Sequence, residues 1–248
     1  MRRPLQITLL ALSGIGLLHI ALFTDLYLRY VKEGMRPLLI ASGVVLILLG
    51  VADAVSYGRS DKHDEHASHG EGGHGHDHSG APLVAWLLFL PALSLLLYAP
   101  PALGAYTASR EPAKAVRHQD EFDPLPATSP LPITLTDFTL RVQQDRTRAI
   151  KGRTVQLSGL VTPGKQRGSW YLTRIIISCC AADAQSVKLR IYGSAPPADT
   201  WVSVTGTWHP GGTLGTRTAS VALDARSVGE VAKPVNSYTD DLPLVPTR

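Results

Sequence analysis

The sequence predicts an α + β membrane protein, with three N-terminal transmembrane helices followed by a small all-β, OB-like barrel domain. Three observations carry this expectation. Three apolar runs, each long enough to cross a bilayer, lie before about residue 106; a period of two takes over from about residue 133; and a charged, proline-rich stretch separates them. The expected organisation is a membrane domain over 1–106, with helices at about 5–28, 37–57 and 82–104 and a His-rich loop at 58–81. A Pro-rich linker at 107–132, an OB-like β domain at 133–232 and a C-terminal tail at 233–248 complete it. The 44% hydrophobic composition is the average of these two unlike halves, and a net charge of +4 is too mild to demand a polyanionic partner.

The apolar runs are LQITLLALSGIGLLHIALF from Leu5 to Phe23, PLLIASGVVLILLGVADAV from Pro37 to Val55, and PLVAWLLFLPALSLLLYAPPALG from Pro82 to Gly104. A spanning helix needs roughly 20 mostly apolar residues. Any one run suits a buried core helix, but three within about 100 residues do not. The first, preceded by Arg2 and Arg3, also resembles a signal peptide; no small-x-small site follows it, so it reads as an uncleaved anchor. With the N-terminus inside, four flanking Lys and Arg residues lie inside and six outside, which argues for the reverse orientation. The Arg pair beside the first helix outweighs that count, and the three spans then place the C-terminal half outside. Polar groups within or beside the spans are His19, Asp25 and Asp53. They are too sparse for a transport pathway, so any pore belongs to another chain.

Pro91 kinks the third run and Pro100-Pro101 ends it. Beyond it, residues 109–132 read as a semi-extended spacer that holds the next domain away from the bilayer. Five β-rich runs follow: TVQLSGLVTP (154–163), WYLTRIIIS (170–178), SVKLRIYG (186–193), TWVSVTGTWH (200–209) and ASVALDARSV (219–228). Val155, Leu157, Gly159 and Val161 alternate on one face, as do Val202, Val204 and Gly206. Short strands with an internal Gly at a sharp bend suit a small barrel, with a sandwich as the alternative.

Some such barrels bind single strands through exposed aromatics in a basic groove. Trp170, Tyr171, Tyr192, Trp201 and Trp208 interleave here with Lys165, Arg167, Arg174, Lys188 and Arg190. Aromatics on strands are more often core than platform, and no nucleic acid is expected outside the membrane.

RIIISCCAADA, residues 174–184, holds the chain's two cysteines, Cys179 and Cys180. On a strand they point to opposite faces and are structural. At a strand's end both sulfurs turn toward one ion together with Asp183, and thiolates suit zinc or copper(I). The set is then incomplete, and His209 or a partner completes it. A disulfide between adjacent residues departs from ordinary geometry.

These residues resemble a bacterial family of permease subunits. Its members have a few N-terminal membrane helices, a variable and often His-bearing loop, and a C-terminal domain marked by Arg-x-x-Ile-Ser/Thr-Cys-Cys-x-Ala-Asp-Ala. Arg174, Ile177, Ser178, Cys179, Cys180, Ala182, Asp183 and Ala184 fit that pattern. The resemblance implies a bacterial cell-membrane location, a larger polytopic permease as partner and an association with zinc-limited growth. It supplies no catalytic residues.

His63, His66 and His69, then His74, His76 and His78, make the 58–81 loop a candidate for weak, unselective metal capture, against the plainer reading of a solvated linker. No GxSxG, HExxH or phosphate-binding Gly loop is present, so no enzyme is expected. The expected function is a non-enzymatic accessory subunit of a permease in zinc-like metal handling. The alternative is a membrane-tethered metal or redox sensor without a transport role.

Overall fold

The structure is a computed structural model that describes residues 2–60, 102–113, 117–164 and 168–242. The chain divides into two compact units: Met1–Phe23 with Pro37–Ala102, and Thr24–Arg36 with Leu103–Arg248.

The first unit contains α1 (Arg2–Phe23) and α2 (Arg36–Ser60). Stretches Pro4–Phe23 and Glu33–Gly58, with mean hydropathies of 1.9 and 2.5, are long and apolar enough to cross a membrane. Two such helices are described rather than three, because the third run falls, apart from its last three residues, outside the described residues. Small residues let α1 and α2 approach closely. A Cβ on Gly14 would meet the Gly43 carbonyl at 2.8 Å, and one on Gly43 would meet Leu18 at 2.9 Å. Close approach of this kind, through small residues, is how helices pack where both faces are apolar. Asp53 accepts a hydrogen bond from Gln6 at 3.1 Å, and exposed His19 lies 5.8 Å from the Phe23 ring. Asp25 lies beyond the end of α1, exposed.

The second unit is built on a barrel. After α3 (Ala105–Arg110) and the short β1 (Leu131–Pro132) comes α4 (Leu135–Gln144). Five strands follow: β2 (Thr154–Thr162), β3 (Ser169–Ile176), β4 (Gln185–Tyr192), β5 (Trp201–Trp208) and β6 (Ala222–Glu230). Going round the ring, β2–β3, β3–β4, β6–β5 and β5–β2 are antiparallel and β4–β6 is parallel. The β5–β2 ladder, from Thr154↔Thr207 to Leu160↔Trp201, closes the ring and excludes the sandwich. Each of β2–β6 overlaps one of the five expected runs, whereas β1, which pairs parallel with β2, is not among them.

Two glycines singled out by the strand pattern have a steric reason to be glycine. A Cβ at Gly159 would press on the Thr173 carbonyl at 2.9 Å, and one at Gly206 would collide with the Asp224 carbonyl. Gly206 also sits at a register shift between β5 and β6, where the strand coils to close the barrel.

Helix α4, which lay unrecognised within the expected β domain, plugs the barrel. Leu135, Phe138 and Val142 recur along one face and are buried among Leu157, Leu189, Ile191, Val204 and Leu223. Its first turn is capped twice. Thr134 accepts from the Asp137 N–H at 3.0 Å, and Asp240 accepts from the N–H groups of Leu135 and Thr136 at 3.1 and 2.6 Å.

Described parts of the proline-rich stretch, and the helix before it, pack along this unit. Ala105 and Ala108 are buried, Ala113 bridges to Ser186, and Arg141 and Arg153 donate to the carbonyls of Asp123, Pro126 and Thr128. Proline keeps the stretch extended and removes its own donors, but the carbonyls still accept from arginines on the barrel.

Candidate thiol and metal site

The Cys179–Cys180 turn starts where β3 ends. Ile177 leaves the β3–β4 ladder and donates its N–H to the Tyr238 carbonyl at 3.1 Å. The chain then folds round Asp183, whose two oxygens accept the N–H groups of Ser178 and Cys179 at 2.9 and 2.7 Å. A short 3-10 turn, Ala181–Asp183, returns the chain to β4. Ala181 and Ala184 pack against a small apolar cluster of Ala108, Ile175, Ile177 and Tyr238. This explains the composition of AADA: small residues fit beneath the turn, and the carboxylate caps its backbone.

Cys179 is exposed, Cys180 is half-buried, and neither is in a disulfide. The Cys179 thiol is hydrogen-bonded to the Asp183 carboxylate and to Cys180, and these contacts, Asp183 first, push it up to about 11. Conversely, the Cys179 thiol and the Ser178 N–H hold the Asp183 carboxyl below its ordinary value. The thiol is therefore protonated at neutral pH. An incoming cation would have to displace that proton and share a carboxylate already used by the loop.

The turn is fastened to the connector between α1 and α2. Ala181 donates to the Tyr30 carbonyl at 2.7 Å, Lys32 donates to the Cys179 carbonyl at 3.0 Å, and Val31 and Cys180 form an antiparallel bridge. Tyr27 and Leu28 are buried, and Asn236 donates to Glu33 at 3.2 Å. Sequence reasoning missed these connector residues. The contacts of residues 30–32 with the turn run through backbone atoms, which carry no residue signature.

His209 lies elsewhere. It follows β5 and stacks on Tyr192 with ring centroids 4.1 Å apart, while its Nδ1 is 2.7 Å from Asp224. Tyr192 ends β4, whereas the Cys turn leads into its first residue. Eight residues at about 3.3 Å each separate the two positions by roughly 25 Å. His209 therefore does not complete a ligand set with Cys179 and Cys180.

Among the described residues no group of three or more His, Cys, Asp or Glu side chains is arranged to hold a metal ion. His63, His66, His69, His74, His76 and His78 lie outside the described residues. Of the aromatic residues considered for stacking, Trp170 and Trp201 are buried and Trp208 donates Nε1–H to the Ser220 carbonyl. Tyr171 and Tyr192 are half-buried beside Arg190, whose guanidinium donates to the Tyr171 hydroxyl at 3.3 Å. Arg174 is buried, Lys188 donates to the Glu111 carbonyl, and Lys165 and Arg167 lie outside the described residues.

A solved structure from Leishmania major Friedlin, described as an aspartyl-tRNA synthetase, aligns with 13% identity over 50% of this chain and 24% of that one. Its TM-score is 0.25, which does not show a shared fold. No curated protein matches. Residues 127–239, from just before β1 through Thr239 and including the whole barrel and the Cys turn, match the family described as the DUF1980 C-terminal domain, a domain of unknown function.

Proposed function

We propose that this chain is a non-enzymatic accessory subunit of a larger polytopic permease in the bacterial cell membrane. In this reading its OB-type barrel reports on zinc-like metal ions through the Cys179–Cys180 turn. The observation that carries the reading is the bridge from that turn to residues 30–32. An ion drawn to the two sulfurs acts on a segment continuous with α1 and α2, which gives the barrel a lever on membrane helices. Cys179 and Cys180 supply the thiolates; water or the partner permease supplies the remaining ligands, since His209 is too far away. The His-rich loop concentrates the ion on the opposite side.

Zinc titration of the purified full chain in detergent, against a chromophoric chelator, tests this. Replacing either Cys179 or Cys180 by Ser is expected to abolish the tightest site equally, because each removes one thiolate from the same centre. Affinity should also rise with pH, since thiol protons must leave. One silent and one damaging replacement would mean that one cysteine only packs.

The same bridge supports a topology. The connector and the barrel domain belong to one unit, so they share a side of the membrane. If α1 and α2 both span, the chain must return across it before residue 103, as the third apolar run expects. In Cys-free protein, Gly34→Cys and Ala149→Cys, both at exposed positions, should each react with a membrane-impermeant maleimide in intact cells. Labelling from opposite sides would overturn the topology. Labelling of both only after lysis would invert it. The alternative function, a membrane-tethered metal or redox sensing module without a transport role, draws on the same two thiols and predicts full activity in the absence of any permease.

A further inference from the structure

We propose that a cleft between the connector and the C-terminal segment binds the headgroup of an anionic phospholipid, of the phosphoglycerol type. The cleft holds about 300 Å³ and is lined by Asp25, Leu26, Arg29, Lys233, Val235 and Tyr238, among others. Arg29 and Lys233 come from distant parts of the chain and converge there. Both are exposed, and neither side chain makes a hydrogen bond or ion pair with a described residue. Arg29 is close enough to influence Tyr238, whose hydroxyl is already committed to the Leu103 carbonyl at 3.0 Å. The phosphate therefore falls to the two cations. Asp25 is the one carboxylate in the lining. It disfavours a bare dianion but accepts hydrogen bonds from glycerol hydroxyls, which a phosphoglycerol headgroup carries beside a single negative charge.

Location selects a lipid over a soluble phosphate. Asp25 follows the last residue of α1 by two positions, so in a spanning α1 the cleft lies at headgroup level; this step rests on the membrane reading above. Leu26 and Val235, 46% and 73% exposed, flank the two cations with apolar side chains. Basic groups beside exposed apolar ones at the end of a span are what an anionic membrane surface attracts. Neither property alone would separate lipid from a dissolved anion.

The test uses the full chain in nanodiscs of phosphatidylcholine, with or without phosphatidylglycerol, transferred to mild detergent for native mass spectrometry. Retained phosphatidylglycerol should exceed phosphatidylcholine by roughly tenfold. The preference should vanish in Arg29→Gln/Lys233→Gln and persist both in the charge-preserving Arg29→Lys/Lys233→Arg and in Lys151→Gln, at an exposed turn outside the cleft. An unchanged preference in the Gln pair, or a loss in Lys151→Gln, would overturn the site. Displacement of the lipid by inorganic phosphate would overturn the lipid assignment in favour of a soluble anion. A chain that fails to enter nanodiscs at all would refute the membrane reading itself, and this proposal with it.

Discussion

Replacing Asp183 by Asn is expected to make Cys179 react about tenfold faster with a small aromatic disulfide at pH 8. In the native turn the carboxylate lies against the thiol and raises it to about 11, so very little thiolate exists at pH 8. Without the negative charge, Cys179 should fall toward the ordinary thiol value of about 8.5–9, and its thiolate fraction should rise roughly 100-fold. Part of that gain is lost, because a less basic thiolate is a weaker nucleophile, with a Brønsted coefficient of about 0.4–0.5. The net is about tenfold. The pH profile separates cause from accident. The native rate should climb steadily past pH 9, whereas the variant's should level off about two pH units lower. Mapping the modified peptide assigns the reaction to Cys179 rather than Cys180. Equal rates in the two proteins would mean that Asp183 does not control this thiol.

What the sequence showed and what it concealed divide along a physical line. The five strands were legible because a half-buried strand must alternate, and because closing a small ring requires a residue without Cβ where Gly159 and Gly206 meet neighbouring carbonyls. Helix α4 was harder to read, since its buried stripe of Leu135, Phe138 and Val142 is set among Thr, Gln, Arg and Asp. The Thr134–Asp137 cap was the available signal. The packing of the described parts of the proline-rich stretch could not be read at all, because composition reports local extension and not what accepts the carbonyls. The candidate site follows the same rule. The side-by-side cysteines were visible, but Asp183 as a backbone cap and Tyr30 and Lys32 as clamps depend on main-chain atoms that any residue carries. His209 misled because its position in the sequence gives no hint that it sits at the far end of β4.

Arg174→Met is expected to cost about 3–4 kcal/mol of stability, a large share of the roughly 5–15 kcal/mol that a domain possesses. The β2–β3 ladder stops at Leu160↔Thr173. Two residues further along β2, the Ser158 carbonyl has no strand partner on that side, and Arg174 fills the gap. Its Nε donates to the Ser158 carbonyl at 2.8 Å, one terminal nitrogen to the Ser158 hydroxyl at 2.7 Å, and the other to the Thr239 carbonyl at 3.3 Å. The guanidinium carbon sits 4.8 Å from the centre of the Trp201 ring, and the residue is 2% exposed. Burial pulls this guanidinium below its ordinary value, while the charges of Asp240 and Asp241 pull it back up. Methionine matches the stem but donates nothing, so two Ser158 acceptors and the Thr239 carbonyl lose a partner in a dry setting; each such loss costs about 1–3 kcal/mol before relaxation. Lysine should recover about half, because an ammonium reaches one or two acceptors but lacks the planar fork and the ring stacking. Urea unfolding of the full chain in detergent, followed by β-sheet circular dichroism, measures both variants. The Thr239 contact adds a second expectation. Residues 237–241 hold α4 through Asp240 and meet β3 through Tyr238, so the Met variant should become sensitive to protease near residue 240 before the barrel melts. A Met variant within about 1 kcal/mol of the native chain would show that these acceptors find water instead, and Arg174 would then owe its place in the motif to something other than stability.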